Sequence, residues 1–527
     1  MAGPVRANGG LAALAVAALT VPVLLGACSP ATPTPAPTTQ PSATAVAETP
    51  SAGPTDANPG PSPTPSPVAV APAAWNDCGR GFLCAEVSVP EDYAAPTKGY
   101  LNVSIVELPA TDRKNRIGSL IVNPGGPGAS GVEFVRDEAA AGGFPKTLLE
   151  HFDIVGFDPR GVNSSTAVRC IDNLDERAQI DPTPDNAAEL KALVNDARSY
   201  AEACAQRNQA LLPYLSTDAV ARDLDGIRQA VGDEQITYLG FSYGTLIGST
   251  YAQLFPSHIR AMVLDGAIDP ALDLEQFRAG QAKGFESALT SFLKDCAARA
   301  ACAFHEKGKT VQAFNALMAS IEAKPLHAVQ IGDRRLVGPG IAWSAVLAAL
   351  YSKSGWPILA TTLAQAKAGD GSLMLLIADP YRGRNPNGSY SNEQDAYTAN
   401  TCLDFPAPTD VATYSSWAKQ FQATAPHFAD LVAYNDLACA YWPVPAERTP
   451  GPVSAAGAPP IVVVGTTGDP ATPYPWAVAL AKELDSGVLI THKGEGHTAY
   501  QSSSCVQRAV DVYLVDLKVP KQGLTCN

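Results

Sequence analysis

Ile236-Thr237-Tyr238-Leu239-Gly240-Phe241-Ser242-Tyr243-Gly244-Thr245 is the stretch that decides the fold. Ile236–Leu239 reads as a buried strand, and a helical run follows from Thr245 to Phe255. Between them stands the one Gly-x-Ser-x-Gly of the chain, Gly240 to Gly244. Glycine on both sides lets backbone crowd a tight strand-to-helix turn. Ser242 is thereby projected at a helix N-terminus, where amide dipoles favour a developing negative charge. A bare pentapeptide match would carry little weight; its place between strand and helix makes Ser242 a candidate nucleophile.

Outward from this turn the same alternation continues. Leu101–Leu108 alternates as a strand, and buried-strand runs stand at Gly118–Val122, Asp153–Phe157, Met262–Leu264, Pro460–Val464 and Val488–Thr491. Val220, Leu224, Ile227 and Val231 recur at helical spacing before Gly232. Strands separated by helices predict an α/β fold with a mainly parallel, doubly wound sheet. The alternation breaks between about Pro270 and Ala455, where helical patterns such as Gln276–Ala298 and Val311–Ile321 dominate. The expected organisation is a core over 75–270, a large and mostly helical cap over 271–454, and a return to the core over 455–527.

A serine hydroxyl needs a base, and the base needs an orienting acid. Asp469 ends the run Ile461–Asp469, and His497 lies in Gly494-Glu495-Gly496-His497-Thr498, just past a strand. His492 is the rival, but it sits at the strand end without a glycine-rich loop to carry it. The oxyanion hole is expected from Pro124-Gly125-Gly126-Pro127-Gly128 and from the amide after the nucleophile. Gly126 and Tyr243 are the expected N–H donors, with Gly125 as the alternative. Gly126-x-Gly128-x-x-Gly131 also matches a dinucleotide fingerprint. That reading lacks a clearly placed ribose-binding acid and leaves Ser242, Asp469 and His497 unexplained.

The 527 residues carry 37 basic against 51 acidic side chains, a net charge of -14 that argues against a nucleic-acid partner. Arg6, the apolar Leu11–Leu25 and Leu25-Gly26-Ala27-Cys28 read as a signal peptide (1–27) whose lipobox offers Cys28 for acylation. From Ser29 to Ala74 there are 13 prolines in 46 residues and no Lys or Arg, which predicts a disordered tether over 28–74. Setting Cys28 aside leaves ten of the 11 cysteines, an even number in an exported domain. Short loops close most readily, so nearest neighbours are expected to pair: Cys78–Cys84, Cys170–Cys204, Cys296–Cys302, Cys402–Cys439 and Cys505–Cys526. No Cys-x-x-Cys occurs and the histidines are scattered, so no metal site is expected, nor an organic cofactor. A monomer is expected.

GFSYGT, the NPGGPG loop, Asp158-Pro159-Arg160-Gly161 and the split core together resemble secreted bacterial tripeptidyl aminopeptidases. These are α/β-hydrolases related to proline iminopeptidase, with a TAP-like C-terminal region, and the resemblance covers roughly Trp75 to Asn527. It implies a serine exopeptidase that releases short peptides from free N-termini, with Ser242, Asp469 and His497 as its triad. Thr472 is similar to a threonine that some lipoprotein members place near the site. Close relatives also hydrolyse simple esters, so a lipoprotein carboxylesterase with the same triad is the alternative. An α-amine is mostly cationic at neutral pH and needs a carboxylate to bind it. Asp404 in the cap, two residues after Cys402, is the candidate. The expected partners are a peptide or ester substrate, and a membrane reached through lipid on Cys28.

Overall fold

In the computed structural model, which describes residues 69–527, the buried runs assemble into one ten-stranded sheet. The strands in chain order are β1 (Asn76–Asp77), β2 (Leu83–Pro90), β3 (Tyr100–Leu108), β4 (Gly118–Asn123), β5 (Phe152–Phe157), β6 (Ile236–Phe241) and β7 (Ile259–Asp265). They continue as β8 (Leu326–Ala328), β9 (Asp333–Val337), β10 (Ile461–Gly468), β11 (Gly487–Glu495) and β12 (Leu524–Cys526). The sheet order is β1-β2-β3-β5-β4-β6-β7-β10-β11-β12, while β8 and β9 form a separate hairpin. Pairing is antiparallel from β1 to β5 and parallel from β5 through β12.

Period-two alternation divides the core. Leu120, Val122, Ile154, Val263 and Val462 face one side; Ile121, Val155, Leu264 and Val463 face the other. Both sides are covered, which is why these strands read as unbroken apolar runs. The second side carries most of the chain's apolar mass. Its cluster runs without interruption from Ile121 and Leu264 into Phe285, Trp343 and Leu359 of the long segment between β7 and β10. That segment is mainly helical, beginning with Leu274–Ala298, whose N-cap Asp273 and Gln276 form a reciprocal capping box.

The structure departs from the sequence expectation in several places, among them the short strands β1, β8 and β9, which no expected run contains. The strand β2 lies outside the expected runs, although Glu86-Val87-Ser88-Val89 alternates and buries Val87 and Val89, and it pairs with β3 over its whole length. The final strand β12 was not anticipated either, being only three residues long. The strand expected to stop at Thr491 continues to Glu495, because it pairs with β10 as far as Gly468. Ordered chain also precedes Trp75, for Ala73 donates its N–H to Ala230 O at 2.8 Å and Val70 packs on the core. Residues 1–68, with Cys28 and most of the expected tether, lie outside the described residues. Five disulfides join Cys78–Cys84, Cys170–Cys204, Cys296–Cys302, Cys402–Cys439 and Cys505–Cys526.

The Asp158-Pro159-Arg160-Gly161 motif has a structural explanation. Arg160 is completely buried and forks onto Asp223, Nε to Oδ2 at 2.7 Å and Nη2 to Oδ1 at 2.5 Å. Its other N–H groups reach the carbonyls of Pro90, Glu91 and Tyr214. One guanidinium thus ties the end of β2 to the turn before helix Thr217–Ala230 and to that helix itself. Asp158 accepts from Ser130 Oγ at 2.5 Å and from the amides of Val132 and Ser164, fixing the helix that starts at Gly131. Removing one partner of a buried ion pair strands the other charge and costs about 3–5 kcal/mol. Arg160→Ala is therefore expected to lower unfolding stability by that amount in a urea titration, whereas Arg207→Ala, at an exposed ion pair, should leave the transition nearly unchanged.

Candidate active site

The candidate residues converge at the C-terminal ends of neighbouring parallel strands. The Gly125–Gly126 loop follows β4, Ser242 follows β6, Asp469 follows β10 and His497 comes two residues after β11. Ser242 stands in a backbone conformation that L-residues avoid, φ 55 and ψ −123. Such a residue costs about 1–3 kcal/mol and persists only where its surroundings over-determine it. Here the Ser242 N–H is held by Asp265 O at 2.9 Å, and its carbonyl receives Thr245 N–H and Oγ1. A Cβ on Gly240 would lie 2.5 Å from Gly244 O, and one on Gly244 would lie 2.8 Å from Asn123 O. Neither position admits a side chain.

His497 is oriented from three directions. Its Nδ1 lies 2.9 Å and 3.0 Å from the two oxygens of Asp469. Its own N–H is donated to Tyr351 O at 2.7 Å, and the Tyr351 ring meets the imidazole edge-on with centroids 5.5 Å apart. Asp469 accepts the amides of Ala471, Thr472 and Thr498 and the Thr472 hydroxyl. Thr472 Oγ1 also stands 3.2 Å from His497 Nδ1, so this hydroxyl bridges acid and imidazole. His497 Nε2 is buried and has no hydrogen-bond partner among the described residues. It opens on a cavity of about 730 Å³ that Ser242 also lines. Burial works against a charged imidazole, but the Asp469 carboxylate, by charge and by hydrogen bond, outweighs it with help from Asp265, and the His497 pKa is raised.

His492 is not part of this arrangement. It sits within β11, paired with Thr466 and Cys526, where burial lowers its pKa. His258 and His427 are engaged with Asp225 and Glu286 away from the cavity.

The β4 loop lies against the turn, for a Cβ on Gly125 would come within 2.9 Å of Ser242 Cβ and Tyr243 N. Gly125 has already donated its N–H to Asn123 Oδ1 at 2.9 Å. The amides of Gly126 and Tyr243 have no acceptor among the described residues, and both residues line the cavity. The dinucleotide pattern in this loop reflects packing. A Cβ on Gly128 would meet Glu393 O at 2.4 Å, and one on Gly131 would meet Phe157 O at 2.2 Å.

Asp404, expected to bind a substrate amine, has both carboxylate oxygens engaged. Oδ1 accepts Thr217 N–H at 2.8 Å, and Oδ2 accepts Thr217 Oγ1 at 2.5 Å and the Tyr243 hydroxyl at 3.4 Å. Burial pushes its pKa up to about 6. It clamps the side chain of Tyr243, whose amide faces the cavity. Among the described residues the cavity-lining carboxylate without a hydrogen bond is that of Glu393, whose backbone carbonyl packs against Gly128 of the β4 loop. Three further residues escaped sequence reasoning. Asp265, at the end of β7, accepts the amides of Ala499 and Tyr500, and its pKa rises to about 6 through burial; a carboxylate closing a parallel strand was a usable signal. Tyr351 and Glu393 gave none, since they arrive from a segment whose packing is long-range.

A reactive-serine turn, an unpartnered imidazole and its carboxylate at one edge of a parallel sheet define a serine hydrolase of the α/β-hydrolase fold. Comparison with known proteins agrees. Residues 118–308 match the family model for the alpha/beta hydrolase fold, and residues 423–526 match that for TAP-like protein. Serine protease Hip1 of Mycobacterium tuberculosis is 38% identical over 480 residues, 86% of this chain and 91% of that protein. Carboxylesterase B of the same organism is 40% identical over 474 residues, 86% of this chain and 89% of that one. Tripeptidyl aminopeptidase of Streptomyces lividans is 32% identical over 469 residues, 86% of each chain. The chain belongs to this tripeptidyl aminopeptidase family of α/β-hydrolases with a TAP-like C-terminal region.

A base that must be neutral to act loses activity as pH falls through its pKa. With the His497 pKa raised, the acid limb of kcat/KM should be centred above the ordinary imidazole value of about 6.5. Asp469→Asn should move that limb to lower pH and reduce kcat by about 10⁴-fold. A pH–rate profile of both proteins reads this directly; an unmoved limb would assign the titration to another group.

Proposed function

We propose that the protein is a membrane-anchored, extracytoplasmic serine aminopeptidase that releases short peptides from free N-termini. The observation that carries the hydrolytic part is the buried, unpartnered His497 Nε2, held by Asp469 and opening on the cavity that Ser242 lines. Ser242 Oγ attacks the scissile carbonyl carbon while His497 Nε2 takes its proton. The oxygen of the tetrahedral intermediate gains its negative charge beside the amides of Gly126 and Tyr243, which need no reorganisation to receive it. Asp469 stabilises the imidazolium, which then protonates the departing amine. Water enters, loses a proton to the same nitrogen and frees the acylated serine.

Exopeptidase action needs a group that measures distance from the N-terminus. Glu393 supplies it in this reading: the residue lines the cavity, its carboxylate accepts no hydrogen bond from the described residues, and its backbone carbonyl packs against Gly128 of the β4 loop. A cationic α-amine would both pair with this carboxylate and relieve its burial, which raises its pKa. Asp404 contributes indirectly by fixing Tyr243. The helical segment 271–454 acts as the cap, because it brings Glu393 and Tyr351 to the cavity. The esterase reading is favoured by the identity to Carboxylesterase B, and it requires no amine site. Anchoring rests on the lipobox at Cys28, with the proline-rich segment as tether.

Three outcomes check the proposal. Ser242→Ala should abolish hydrolysis of peptide and ester substrates alike without lowering the melting temperature. N-acetylation of a peptide substrate should cut kcat/KM at least tenfold, while Glu393→Gln should produce the same loss on the free peptide and leave acetylation with little further effect. Equal turnover of free and acetylated peptides by the wild type would favour the esterase. Cys28→Ser should move the protein out of the membrane fraction, or leave its signal uncleaved; retention after clean signal removal would refute the lipid anchor.

A further inference from the structure

The cavity is lined by three arginines and three carboxylates, Arg177, Arg278 and Arg382 with Asp196, Asp404 and Glu393. Arg177 is paired with Asp196 at 2.9 Å, and Arg278 with Asp436 at 2.5 Å. Asp404 is held by Thr217, and Glu393 is assigned above to the substrate amine. Arg382 remains. Among the described residues its buried Nε has no hydrogen-bond partner, and the one hydrogen bond of its guanidinium runs from Nη1 to Ser344 Oγ at 3.3 Å. The acids on its own stretch of chain are taken. Asp379 forks onto Arg335 at 2.7 Å through both oxygens, and Asp175 holds Arg384 at 2.9 Å. Arg177, the other charge that faces it, is of the same sign.

A buried cation needs a counter-charge, and a guanidinium presents a planar fork that matches a carboxylate. One unmatched positive charge calls for one negative charge, which suits a carboxylate better than a dianionic phosphate. The Tyr381 hydroxyl lies within electrostatic reach of both Glu393 and Arg382, so the two unmatched charges belong to one chamber. We propose that Arg382 is an anion subsite of this chamber that binds a carboxylate of the substrate. The proposal rests on the reading of the chamber as the peptide-cleaving site, and it extends that reading from a free amine to an amine and a carboxylate on one molecule. The carboxylate comes either from an acidic side chain of the peptide or from its C-terminus.

The test uses the whole protein and four matched peptides with free N-termini. One is neutral and amidated, one carries an acidic side chain and is amidated, one is neutral with a free C-terminus, and one is N-acetylated. In the wild type at least one carboxylate-bearing peptide should exceed the neutral amide at least tenfold in kcat/KM, and this ratio should shrink as salt is raised. The peptide that carries the advantage identifies the source of the carboxylate. Arg382→Gln should bring the ratio to about one, and Arg382→Lys should retain part of it. No advantage in the wild type, or an equal advantage in Arg382→Gln, would overturn the proposal. Should Arg382→Gln fail to fold, the salt dependence of the wild type and the Arg382→Lys ratio decide, with an advantage indifferent to both counting against it. Loss of the free-amine preference with the carboxylate preference intact would overturn the aminopeptidase reading alone; the reverse pattern would overturn the Arg382 subsite alone.

Discussion

The contact on which the rest depends is the backbone of Gly240 pressed against that of Gly244. It closes the turn between β6 and the following helix so tightly that Ser242 is forced into a conformation its own side chain disfavours. That strain survives because β4 and β7 flank β6 and lend their own atoms to the turn. Asn123 at the end of β4 abuts Gly244, and Asp265 at the end of β7 holds the Ser242 amide. The position of the hydroxyl is thus a property of three adjacent strands. The buried apolar runs that make those strands are the energetic source of its precision.

Around this fixed point the charges are layered. Asp469 receives three backbone amides and a hydroxyl in addition to the imidazole, a set of donors that fixes the direction in which its oxygens face the ring. Asp265 lies further back, tying the loop after His497 to the end of β7 through the amides of Ala499 and Tyr500. Two carboxylates behind one ring explain why an imidazole removed from water still has a raised affinity for its proton. Arg160 with Asp223 does comparable work in the scaffold, where a single guanidinium closes five hydrogen bonds across parts of the chain far apart in sequence.

The sheet and the reactive turn were legible because both leave short-range marks. Ile236–Leu239 followed by GFSYG needs no distant information, and Asp469 and His497 were reached by the same rule of loops after strands. Most of what lines the cavity left no such mark. Glu393 looks like an ordinary helix-terminal acid, and only its placement beside Gly128 distinguishes it. Asp404 misled for the same reason: its nearness to Cys402 said nothing about Thr217, which lies 187 residues earlier. His492 resembled a strand-end residue because the apolar run stops at Thr491, whereas pairing with β10 carries the strand on. Local pattern records burial and turn geometry; it does not record which partner saturates a buried charge.

The bond from His497 to the carbonyl of Tyr351 carries a consequence for how the enzyme works as a machine. Tyr351 belongs to the helical insertion, and the neighbouring Ser352 pairs as an isolated bridge with Gly496. The insertion therefore grips the loop that carries the imidazole, and its apolar core is continuous with that of the sheet. A displacement of the insertion at Tyr351 would pull directly on the backbone of His497. The same segment thus lines the cavity and holds the backbone of His497, so the setting of the imidazole and the shape of the chamber are properties of one stretch of chain.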